Sequence, residues 1–440
     1  MKTEIRIRQC CAAIVLLFGL TAAGAQQVIH VEHGPNSAAA LKSHYVVLVS
    51  LDGFRYDYTL KYGAGNLLAL GKSGAWAPNG MYPAYPSLTF PNHLTLITGL
   101  YPEHHGIVGN HFYDPAREER YDYTKPSALD GSWYSGTPLW SLAEKQGMRA
   151  ACLFWPGSEA EIAGARPSYY LRYDGDLDDE KRIAQVMKWL ALPEADRPHF
   201  ITLYYSEVDH EGHTHGPDAV ETRNAARNVD RLMGELWQKL KATALPIDLI
   251  VVSDHGMAAI KGDWITLDKF ADLSHFVVTE SQIYPESEAD AEKAYNQLKK
   301  ASSEFVVYRR KDFPAALHYD DNPRIGDPVI LATGPYAIRF HGPEAGRPDR
   351  APNVGNHGYS PLLMPEMKAS FFAAGPDIKP GIEVQPFENV NLYPLIAHIL
   401  SLNAPRTDGN LNVLSGILRD NGGEAVDTTD ATDASKTKAK

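Results

Sequence analysis

The stretch of sequence that decides the fold is Tyr45-Val46-Val47-Leu48-Val49-Ser50-Leu51, which ends at Asp52. Almost every residue in this run is β-branched or aliphatic. Such a run is typical of a strand that is buried on both faces, the kind found in parallel sheets. The stretch therefore predicts a strand in the middle of an α/β sheet, with a carboxylate at its carboxyl end.

Two more apolar runs end in the same way, at acidic and histidine side chains. The run 200–205 leads to Asp209 and His213, and the run 247–253 leads to Asp254 and His255. Ligands of open α/β sheets bind just beyond the carboxyl ends of the strands, so we expect these side chains to meet at one edge of one sheet. Mixed oxygen and nitrogen ligands suit zinc or a similar divalent ion. The three runs together predict a metal site.

Strand-like and helix-like segments alternate along the rest of the chain. This βαβ rhythm predicts an α/β fold with a doubly wound, mostly parallel central sheet flanked by helices. The expected strands are 45–51, 150–154, 199–205, 247–253 and 369–374, and the expected helices include 180–191, 219–242 and 389–402.

The segment 258–355 interrupts this rhythm and carries no obvious ligand cluster. It contains a helical pattern near 288–301 and strand-like pieces at 304–308 and 335–340. We interpret it as an α+β cap subdomain inserted into a catalytic domain that runs from 43 to 420.

The two ends of the chain differ from the rest. Basic residues precede an apolar stretch at 12–20, and Ala23-Gly24-Ala25 provides a small-residue cleavage pattern. We therefore expect residues 1–25 to be a signal peptide cleaved near Ala25, with no membrane anchor and a periplasmic or secreted protein as the product. We expect residues 26–42 to be a flexible lead-in and residues 421–440 to be a disordered tail.

Composition restricts the classes of function. The chain has 440 residues, 44% of them hydrophobic, and a formal net charge of −12. This charge argues against binding to nucleic acids, because such binding needs clustered Lys and Arg. It does not argue against small phosphate substrates, since a bound metal supplies positive charge locally. Nothing in the sequence implies a protein partner.

A proline-rich segment precedes another expected helix: Tyr85-Pro86-Ser87-Leu88-Thr89-Phe90-Pro91-Asn92-His93-Leu94. Pro91 suits a first helical turn, which puts Thr89 beside the positive N-terminal end of a helix that ends at Gly99. A hydroxyl in that position can lose its proton more easily near a metal. The alternative is that Thr89 only caps the helix, just as an Asp at a strand end often caps the next one.

Four longer motifs carry a resemblance to a known family. They are Thr89-Phe90-Pro91-Asn92-His93, the segment 98–107 (Thr-Gly-Leu-Tyr-Pro-Glu-His-His-Gly-Ile), Asp209-x-x-Gly212-His213-x-x-Gly216-Pro217 and Asp254-His255-Gly256-Met257. The chain resembles the nucleotide pyrophosphatase/phosphodiesterase family of the alkaline phosphatase superfamily, from about Val46 to Leu411. It resembles a bacterial single-domain type, without the accessory domains of the animal relatives.

The resemblance implies a site with two zinc ions. It assigns Asp209, His213 and His357 to one ion, and Asp52, Asp254, His255 and Thr89 to the other. Thr89 is also the implied nucleophile, and Asn110 is implied to hold a phosphoryl oxygen. Phe90 and Tyr173 match the aromatic pair that clamps a nucleobase, which implies small nucleotide substrates and hydrolysis of their pyrophosphate and phosphodiester bonds.

Related activities stay open at this stage. A phosphomonoesterase of the same superfamily typically adds a cation beside its metals, but the segment after the strand 150–154 has none before Arg166. A lysophospholipid or phosphocholine diesterase is a further alternative, against which the aromatic pair favours nucleotides. A catalytically dead zinc-binding scaffold would be expected to lack a ligand or the nucleophile, and all of these positions are present.

Overall fold

The computed structural model describes residues 27–279, 282–343 and 348–419. Its strands, labelled in chain order, are β1 (Ile29–His30), β2 (Tyr45–Leu51), β3 (Ala75–Trp76), β4 (His111–Asp114), β5 (Glu119–Asp122), β6 (Ala150–Leu153), β7 (Tyr169–Leu171), β8 (Phe200–Tyr205), β9 (Ile247–Val252), β10 (Ala258–Ala259), β11 (Ile265–Thr266), β12 (Val277–Thr279), β13 (Gln282–Tyr284), β14 (Phe305–Tyr308), β15 (Val329–Ala332), β16 (Ile338–Arg339), β17 (Gly355–Asn356), β18 (Phe371–Ala374) and β19 (Ile382–Glu383). Its α-helices are α1 (Tyr58–Tyr62), α2 (Gly65–Ser73), α3 (Thr89–Thr98), α4 (Pro102–His105), α5 (Leu139–Lys145), α6 (Asp179–Leu190), α7 (Glu207–His215), α8 (Val220–Ala242), α9 (Glu288–Leu298) and α10 (Leu392–Ile399).

The predicted α/β fold is confirmed by the central sheet. Within the described ranges this sheet has nine strands in the order β1-β7-β6-β8-β2-β9-β18-β3-β19. The strands β7, β6, β8, β2 and β9 run parallel to one another. The strand β18 pairs antiparallel with β9, which makes the sheet mixed but still mostly parallel. The three strands that lead to acidic residues, β8, β2 and β9, are neighbours. Their carboxyl ends therefore lie at one edge of one sheet, as the sequence predicts.

The central strand β2 shows why the sheet needs helices on both sides. Val46 and Leu48 belong to one buried apolar cluster, together with residues of α3, α5 and α10. Val47 and Val49, which alternate with them, belong to the other cluster, together with residues of α2, α6 and α8. Successive side chains of a strand point to opposite faces, so a continuous apolar run requires a cover on each face.

The segment 258–355 leaves the central sheet after β9 and returns close to the same point. Its two ends pair with each other, since β10 is antiparallel to β17, with Ala258 opposite Asn356. Between them, β12, β13, β15 and β14 form a four-stranded sheet. That sheet and α9 enclose a separate apolar cluster that includes Leu298, Phe305 and Ile330. The pairing of β10 with β17 brings His357 back beside the end of β9.

The chain before β2 differs from the expected flexible lead-in. In its described part, β1 pairs antiparallel with β7 at the sheet edge. Asn36 is buried, and its side-chain amide donates to the carbonyl oxygens of Glu194 and Arg197 at 2.9 and 2.7 Å. These contacts are long-range, so no local pattern signals them.

The expected signal peptide and the expected tail at 421–440 lie outside the described residues. In the part of the chain that is described, no helix is long and apolar enough to cross a membrane.

Candidate metal centre and active site

The carboxyl ends of the three neighbouring strands carry the predicted ligands. Asp52 directly follows β2, and Asp254 and His255 lie two and three residues beyond β9. Asp209 and His213 lie on α7, which begins right after β8, and their spacing of four puts both on one side of the helix. The sheet therefore brings together side chains that are far apart in the sequence.

One group consists of three donor atoms. The Asp209 Oδ1 atom lies 3.5 Å from the His213 Nε2 atom and 3.5 Å from the His357 Nε2 atom. The two Nε2 atoms are 3.1 Å apart. These three residues form the first candidate ligand group.

The second group is built around the His255 Nε2 atom. This atom lies 3.4 Å from Asp52 Oδ1, 3.1 Å from Asp254 Oδ2 and 3.3 Å from Thr89 Oγ1. The rings of His255 and His357 stack with their centroids 3.6 Å apart, so the two groups adjoin.

The spacing of the donors fits a zinc ion in each group. Zinc bonds to nitrogen and oxygen are about 2.0–2.2 Å long, and tetrahedral geometry then separates neighbouring ligands by about 3.3–3.6 Å. The distances of 3.1–3.5 Å within the two groups are close to that separation.

Backbone carbonyls fix the orientation of the histidine rings. The Nδ1 atoms of His213, His255 and His357 each lie 2.9 Å from a carbonyl oxygen, those of Gly355, Gly256 and Ser87 respectively. A ring that donates its Nδ1–H in this way keeps the Nε2 lone pair for a metal. All three Nε2 atoms are the ones that face the carboxylates.

Each of the three candidate carboxylate ligands has one buried oxygen that makes no hydrogen bond within the described part of the chain. Among the described residues, the buried atoms Asp52 Oδ1, Asp209 Oδ1 and Asp254 Oδ2 have no hydrogen-bond partner. The second oxygens of two of these groups are satisfied, since Tyr204 donates its hydroxyl to Asp52 Oδ2 at 2.5 Å and the Gly53 N–H donates to Asp254 Oδ1 at 3.2 Å. Buried oxygens are rarely left unpaired. These oxygens therefore fit cation ligation.

Electrostatics lead to the same conclusion. Burial raises the pKa of Asp52, Asp209 and Asp254 well above the usual range, and the charge of a neighbouring carboxylate raises each one further. Burial lowers the pKa of His357 to about 3 and that of His255 well below its ordinary value. These shifts favour neutral imidazoles, which do not balance three carboxylates, and a bound cation would favour the ionised form of those carboxylates.

Thr89 occupies the start of α3 but does not cap it. The capping position belongs to Leu88, which makes no side-chain cap bond, and the helix ends at Gly99 with φ 68°. The Thr89 hydroxyl instead faces His255. The backbone around it is held by His93, whose Nδ1 lies 2.8 Å from the Thr89 carbonyl oxygen and whose Nε2 lies 2.9 Å from Ser50 Oγ.

Asn110 lies beside the first turn of α3. Its Oδ1 atom accepts the backbone N–H of Phe90 at 3.0 Å. The side-chain NH₂ group is then the part of Asn110 that can donate a hydrogen bond to a ligand.

The two predicted base-clamping rings make different contacts. Phe90 packs against Tyr123 with ring centroids 5.1 Å apart. Tyr173 is 53% exposed, and its ring edge meets Phe154 at 5.4 Å and Tyr204 at 6.2 Å. The Tyr173 ring is exposed and the Phe90 ring is half-buried, so each keeps some surface on which a base can stack.

Several residues of the site are not found by the sequence analysis. Tyr123 extends the Phe90 ring surface, and the Glu159 side chain accepts the Tyr173 backbone N–H at 2.9 Å. The carbonyls of Ser87 and Gly355 orient two of the histidines. Carbonyl groups carry no sequence signal, and Tyr123 lies in a loop whose path depends on the fold.

The fold and the paired Asp/His groups define a hydrolase with the alkaline phosphatase-like architecture. A family model described as type I phosphodiesterase / nucleotide pyrophosphatase matches residues 46–360. The chain belongs to this family of enzymes, as the resemblance in the sequence predicts.

Relatives in eukaryotes support the assignment. A pyrophosphatase/phosphodiesterase of Schizosaccharomyces pombe, named as uncharacterized, is 36% identical over 83% of this chain and 78% of that protein. Ectonucleotide pyrophosphatase/phosphodiesterase family member 1 of Homo sapiens is 34% identical over 88% of this chain and 43% of that protein. Family member 7 of Mus musculus is 33% identical over 87% of this chain and 89% of that protein. The chain thus spans less than half the length of the human protein.

Solved structures show the same fold. Murine ectonucleotide pyrophosphatase/phosphodiesterase 5 superposes with a TM-score of 0.79 at 29% identity, covering 86% of this chain and all of that one. An inactive threonine-to-alanine variant of the murine protein has been solved in complex with AMP, and it gives the same TM-score and identity.

Proposed function

We propose that this chain is an exported two-zinc phosphodiesterase that hydrolyses nucleotide pyrophosphate and phosphodiester bonds, for example a nucleoside triphosphate to its monophosphate and pyrophosphate. The reaction passes through a covalent phosphoryl intermediate on Thr89. The observation that carries the proposal is the Thr89 hydroxyl, which is uncommitted to capping and lies 3.3 Å from the His255 Nε2 atom beside unpaired carboxylate oxygens.

Two ligand sets are assigned in this proposal. Asp209, His213 and His357 would hold one zinc ion, and Asp52, Asp254, His255 and Thr89 would hold the other. Bound zinc lowers the pKa of the Thr89 hydroxyl and takes up negative charge on the phosphoryl and leaving-group oxygens.

Thr89 performs the first chemical step. Once its proton has passed to solvent, the Oγ1 atom attacks phosphorus, and the bond from phosphorus to the leaving oxygen breaks with its electron pair. The N-terminal end of α3 stabilises the negative charge at this position, and the Asn110 NH₂ group donates to an equatorial oxygen. In the second step, water attacks the phosphorus, the Thr89–phosphorus bond breaks, and the hydroxyl is restored.

Phe90 and Tyr173 determine which phosphorus atom reacts. A base held between these rings places the α-phosphorus of a nucleotide beside Thr89, because Phe90 is the next residue in the chain. The AMP complex of the murine relative supports nucleotide substrates for that protein, and we extend this to the present chain.

The contacts of Arg166 favour a diesterase activity over a monoesterase activity. A dianionic phosphoryl group calls for an added positive charge beside the metals. Arg166, the first cation after β6, is engaged elsewhere, since it donates to the Glu159 carbonyl at 3.1 Å and to Glu161 at 3.0 Å. A phosphodiester carries one negative charge and does not need this extra partner.

Export to the periplasm or the extracellular space is part of the proposal. It rests on the charged, apolar and small-residue pattern of residues 1–25. The prefix ecto- in the names of the human and mouse relatives agrees with it.

Product analysis tests the proposal. With ATP the purified enzyme should release AMP and pyrophosphate, and chelation should stop the reaction until zinc is added back. A nucleotide p-nitrophenyl ester should be hydrolysed faster than p-nitrophenyl phosphate or p-nitrophenyl phosphocholine. Release of ADP and orthophosphate would contradict the base-clamping geometry, and a preference for either of the other two esters would favour the monoester or lipid alternative.

A further inference from the structure

Arg182 is a buried cation that the sequence analysis does not single out. It lies on α6 and is 2% exposed. Its guanidinium donates to the carbonyl oxygens of Leu177 at 3.0 Å, Tyr204 at 3.0 Å and Gly175 at 3.4 Å. A single side chain therefore joins the loop before α6 to the carboxyl end of β8.

The loop joined in this way carries Tyr173. Gly175 folds back against the Tyr173 ring, since a Cβ atom at Gly175 would lie 3.4 Å from the Tyr173 hydroxyl. Arg182 also supports the ring from behind. Its guanidinium lies over the Phe154 ring at 5.4 Å, and that ring packs against Tyr173 with centroids 5.4 Å apart. Arg182 therefore constrains both the loop and the surface on which Tyr173 rests.

The other end of the connection lies at the metal centre. The Tyr204 carbonyl accepts from Arg182, while the Tyr204 hydroxyl donates to the candidate ligand Asp52. Arg182 therefore links the Tyr173 loop to β8, and the Tyr204 side chain of the same strand contacts Asp52.

The contacts of Arg182 are those of a clamp rather than of an ion pair. The Asp179 carboxylate oxygen is 3.7 Å from its Nε atom, which is longer than the contacts of Arg182 with the Leu177 and Tyr204 carbonyls. The planar guanidinium can serve several carbonyls in fixed directions, whereas a lysine ammonium is a single point of attachment. A lysine here keeps the charge but loses the fixed geometry.

We propose that Arg182 is a positioning residue for nucleotide specificity, because it clamps the Tyr173 loop to the end of β8 and so sets the distance between the base-stacking ring and the Thr89 centre. This inference rests on the proposed function, in which Tyr173 stacks on a nucleobase. It assigns Arg182 no contact with the substrate.

Arg182→Lys is the test variant. With a nucleotide p-nitrophenyl ester, KM should rise about five- to twentyfold while kcat changes little, because the stacking partner is misplaced and the reacting groups are not. With an alkyl p-nitrophenyl diester, which has no base, kcat/KM should stay within about twofold of wild type. The zinc content should be unchanged.

Arg149→Lys is the matched control. Arg149 is also a buried arginine, 4% exposed, but it precedes β6 at the opposite end of the sheet and contacts Glu32 and Asp196. The control should lose stability without altering the ratio of nucleotide to alkyl diester activity. If removing any buried guanidinium had the same general effect, Arg182→Lys and Arg149→Lys would change the ratio of nucleotide to alkyl diester activity in the same way.

A double-mutant cycle with Tyr173→Ala separates the inference from the proposed function. If Arg182 acts through Tyr173, then Arg182→Lys should add less than about a twofold loss on nucleotides once Tyr173 is absent. Full additivity of the two losses would overturn the inference, and so would equal losses of Arg182→Lys on nucleotide and alkyl diesters. If Tyr173→Ala itself lost no more activity on nucleotides than on alkyl diesters, the base-clamping part of the proposed function would fail instead.

Discussion

At the scale of single residues, most candidate ligands of the metal centre use one polar atom in a hydrogen bond within the protein and leave the other free to face the centre. The histidines donate their Nδ1–H groups to backbone carbonyls, and two of the carboxylates have one oxygen satisfied by Tyr204 or Gly53. What is left over is a set of Nε2 and carboxylate oxygen atoms facing one another. Such pre-orientation lowers the cost of arranging ligands when a metal binds.

Thr89→Ala should abolish turnover without unfolding the protein. The substitution removes the proposed nucleophile but no carboxylate or imidazole, and loss of a nucleophile typically costs several orders of magnitude in rate. Steady-state kinetics with a nucleotide p-nitrophenyl ester and metal analysis of the same sample would measure this.

Thr89→Ser serves as the matched comparison. It keeps the hydroxyl oxygen and should retain appreciable activity. If Thr89→Ala kept more than about a tenth of the wild-type rate, the covalent mechanism would be wrong.

In the proposed two-zinc site, His357→Ala should release one ion more readily than the other. Its Nε2 atom lies 3.1 Å from that of His213 and 3.5 Å from Asp209 Oδ1, which are the other members of the first group. Titration with a chelator should show one ion released at a lower chelator concentration than in the wild type, by about tenfold or more.

The control for this variant is His105→Ala. His105 is also fully buried, but it bonds to Thr95 and to the Pro91 carbonyl rather than to a carboxylate. The control should lose stability and keep both ions. Retention of both ions at wild-type affinity in His357→Ala would remove His357 from the ligand set.

At the scale of elements, the pairing of β10 with β17 brings the candidate ligand His357 back to the centre after the segment 258–355. The β17 backbone also lies against α7, because a Cβ atom at Gly355 would be 2.3 Å from the Gly212 carbonyl oxygen. This close approach lets the Gly355 carbonyl accept the His213 Nδ1–H while His357 follows two residues later. One short strand thus orients two members of the same ligand group.

Gly355→Ala should therefore weaken metal binding by the first candidate ligand group as well as the fold. The added methyl group meets backbone, which cannot move aside as a flexible side chain can, so β17 must shift away from α7. We expect a loss of stability of about 1–3 kcal/mol, together with a lower affinity for one of the two ions. Thermal denaturation and chelator titration would measure the two effects.

Gly65→Ala is the comparison at element scale, since a Cβ atom there meets nothing within 4 Å. It should change neither the stability nor the zinc affinity appreciably. Wild-type affinity for both ions in Gly355→Ala would show that β17 does not position the ligands.

At the scale of the whole molecule, the two ends of the central sheet carry acidic groups with different surroundings. At the end opposite the metal centre, Asp248 is fully buried in β9 and accepts the Asp377 backbone N–H at 3.1 Å. His44 Nδ1 lies 2.6 Å from Asp377 Oδ2, which is a hydrogen-bond distance. Two ligands of one metal ion would be separated by about 3.3 Å, so this contact is that of a hydrogen-bonded pair and not of two metal ligands. Burial, and then the neighbouring Asp377 side chain, raise the pKa of Asp248 to about 9, against smaller opposing effects of the Asp377 backbone N–H and of Arg419.

This raised pKa makes stability depend on pH. The unfolded chain releases the Asp248 proton near the ordinary pKa of an aspartate, whereas the folded protein keeps it. The contribution of Asp248 is therefore fully present at acidic pH and is lost as the pH rises toward about 9.

Asp248→Asn should remove this loss, since its amide imitates the protonated acid and can still donate to Asp377. We expect the variant to gain at least about 2 °C in Tm over wild type between pH 5 and pH 8.5. Comparing the two proteins at each pH with zinc in excess cancels the contribution of the metal ligands. A constant difference in Tm across this range would contradict the raised pKa.

The sequence by itself determined the strands β2, β8 and β9 and the acidic and histidine residues at their ends. Burial on both faces leaves a continuous apolar run, and chain direction then puts whatever follows each strand at the same edge. The resemblance to the family predicted His357 as a ligand, because no local pattern marks an isolated His-Gly as one. Tertiary structure alone decided the remainder. The return of His357 to the centre, the ring partner Tyr123, the clamp Arg182 and the anchored segment before β2 all depend on contacts between residues far apart in the chain, and such contacts form only when the packed sheet and helices bring those segments together.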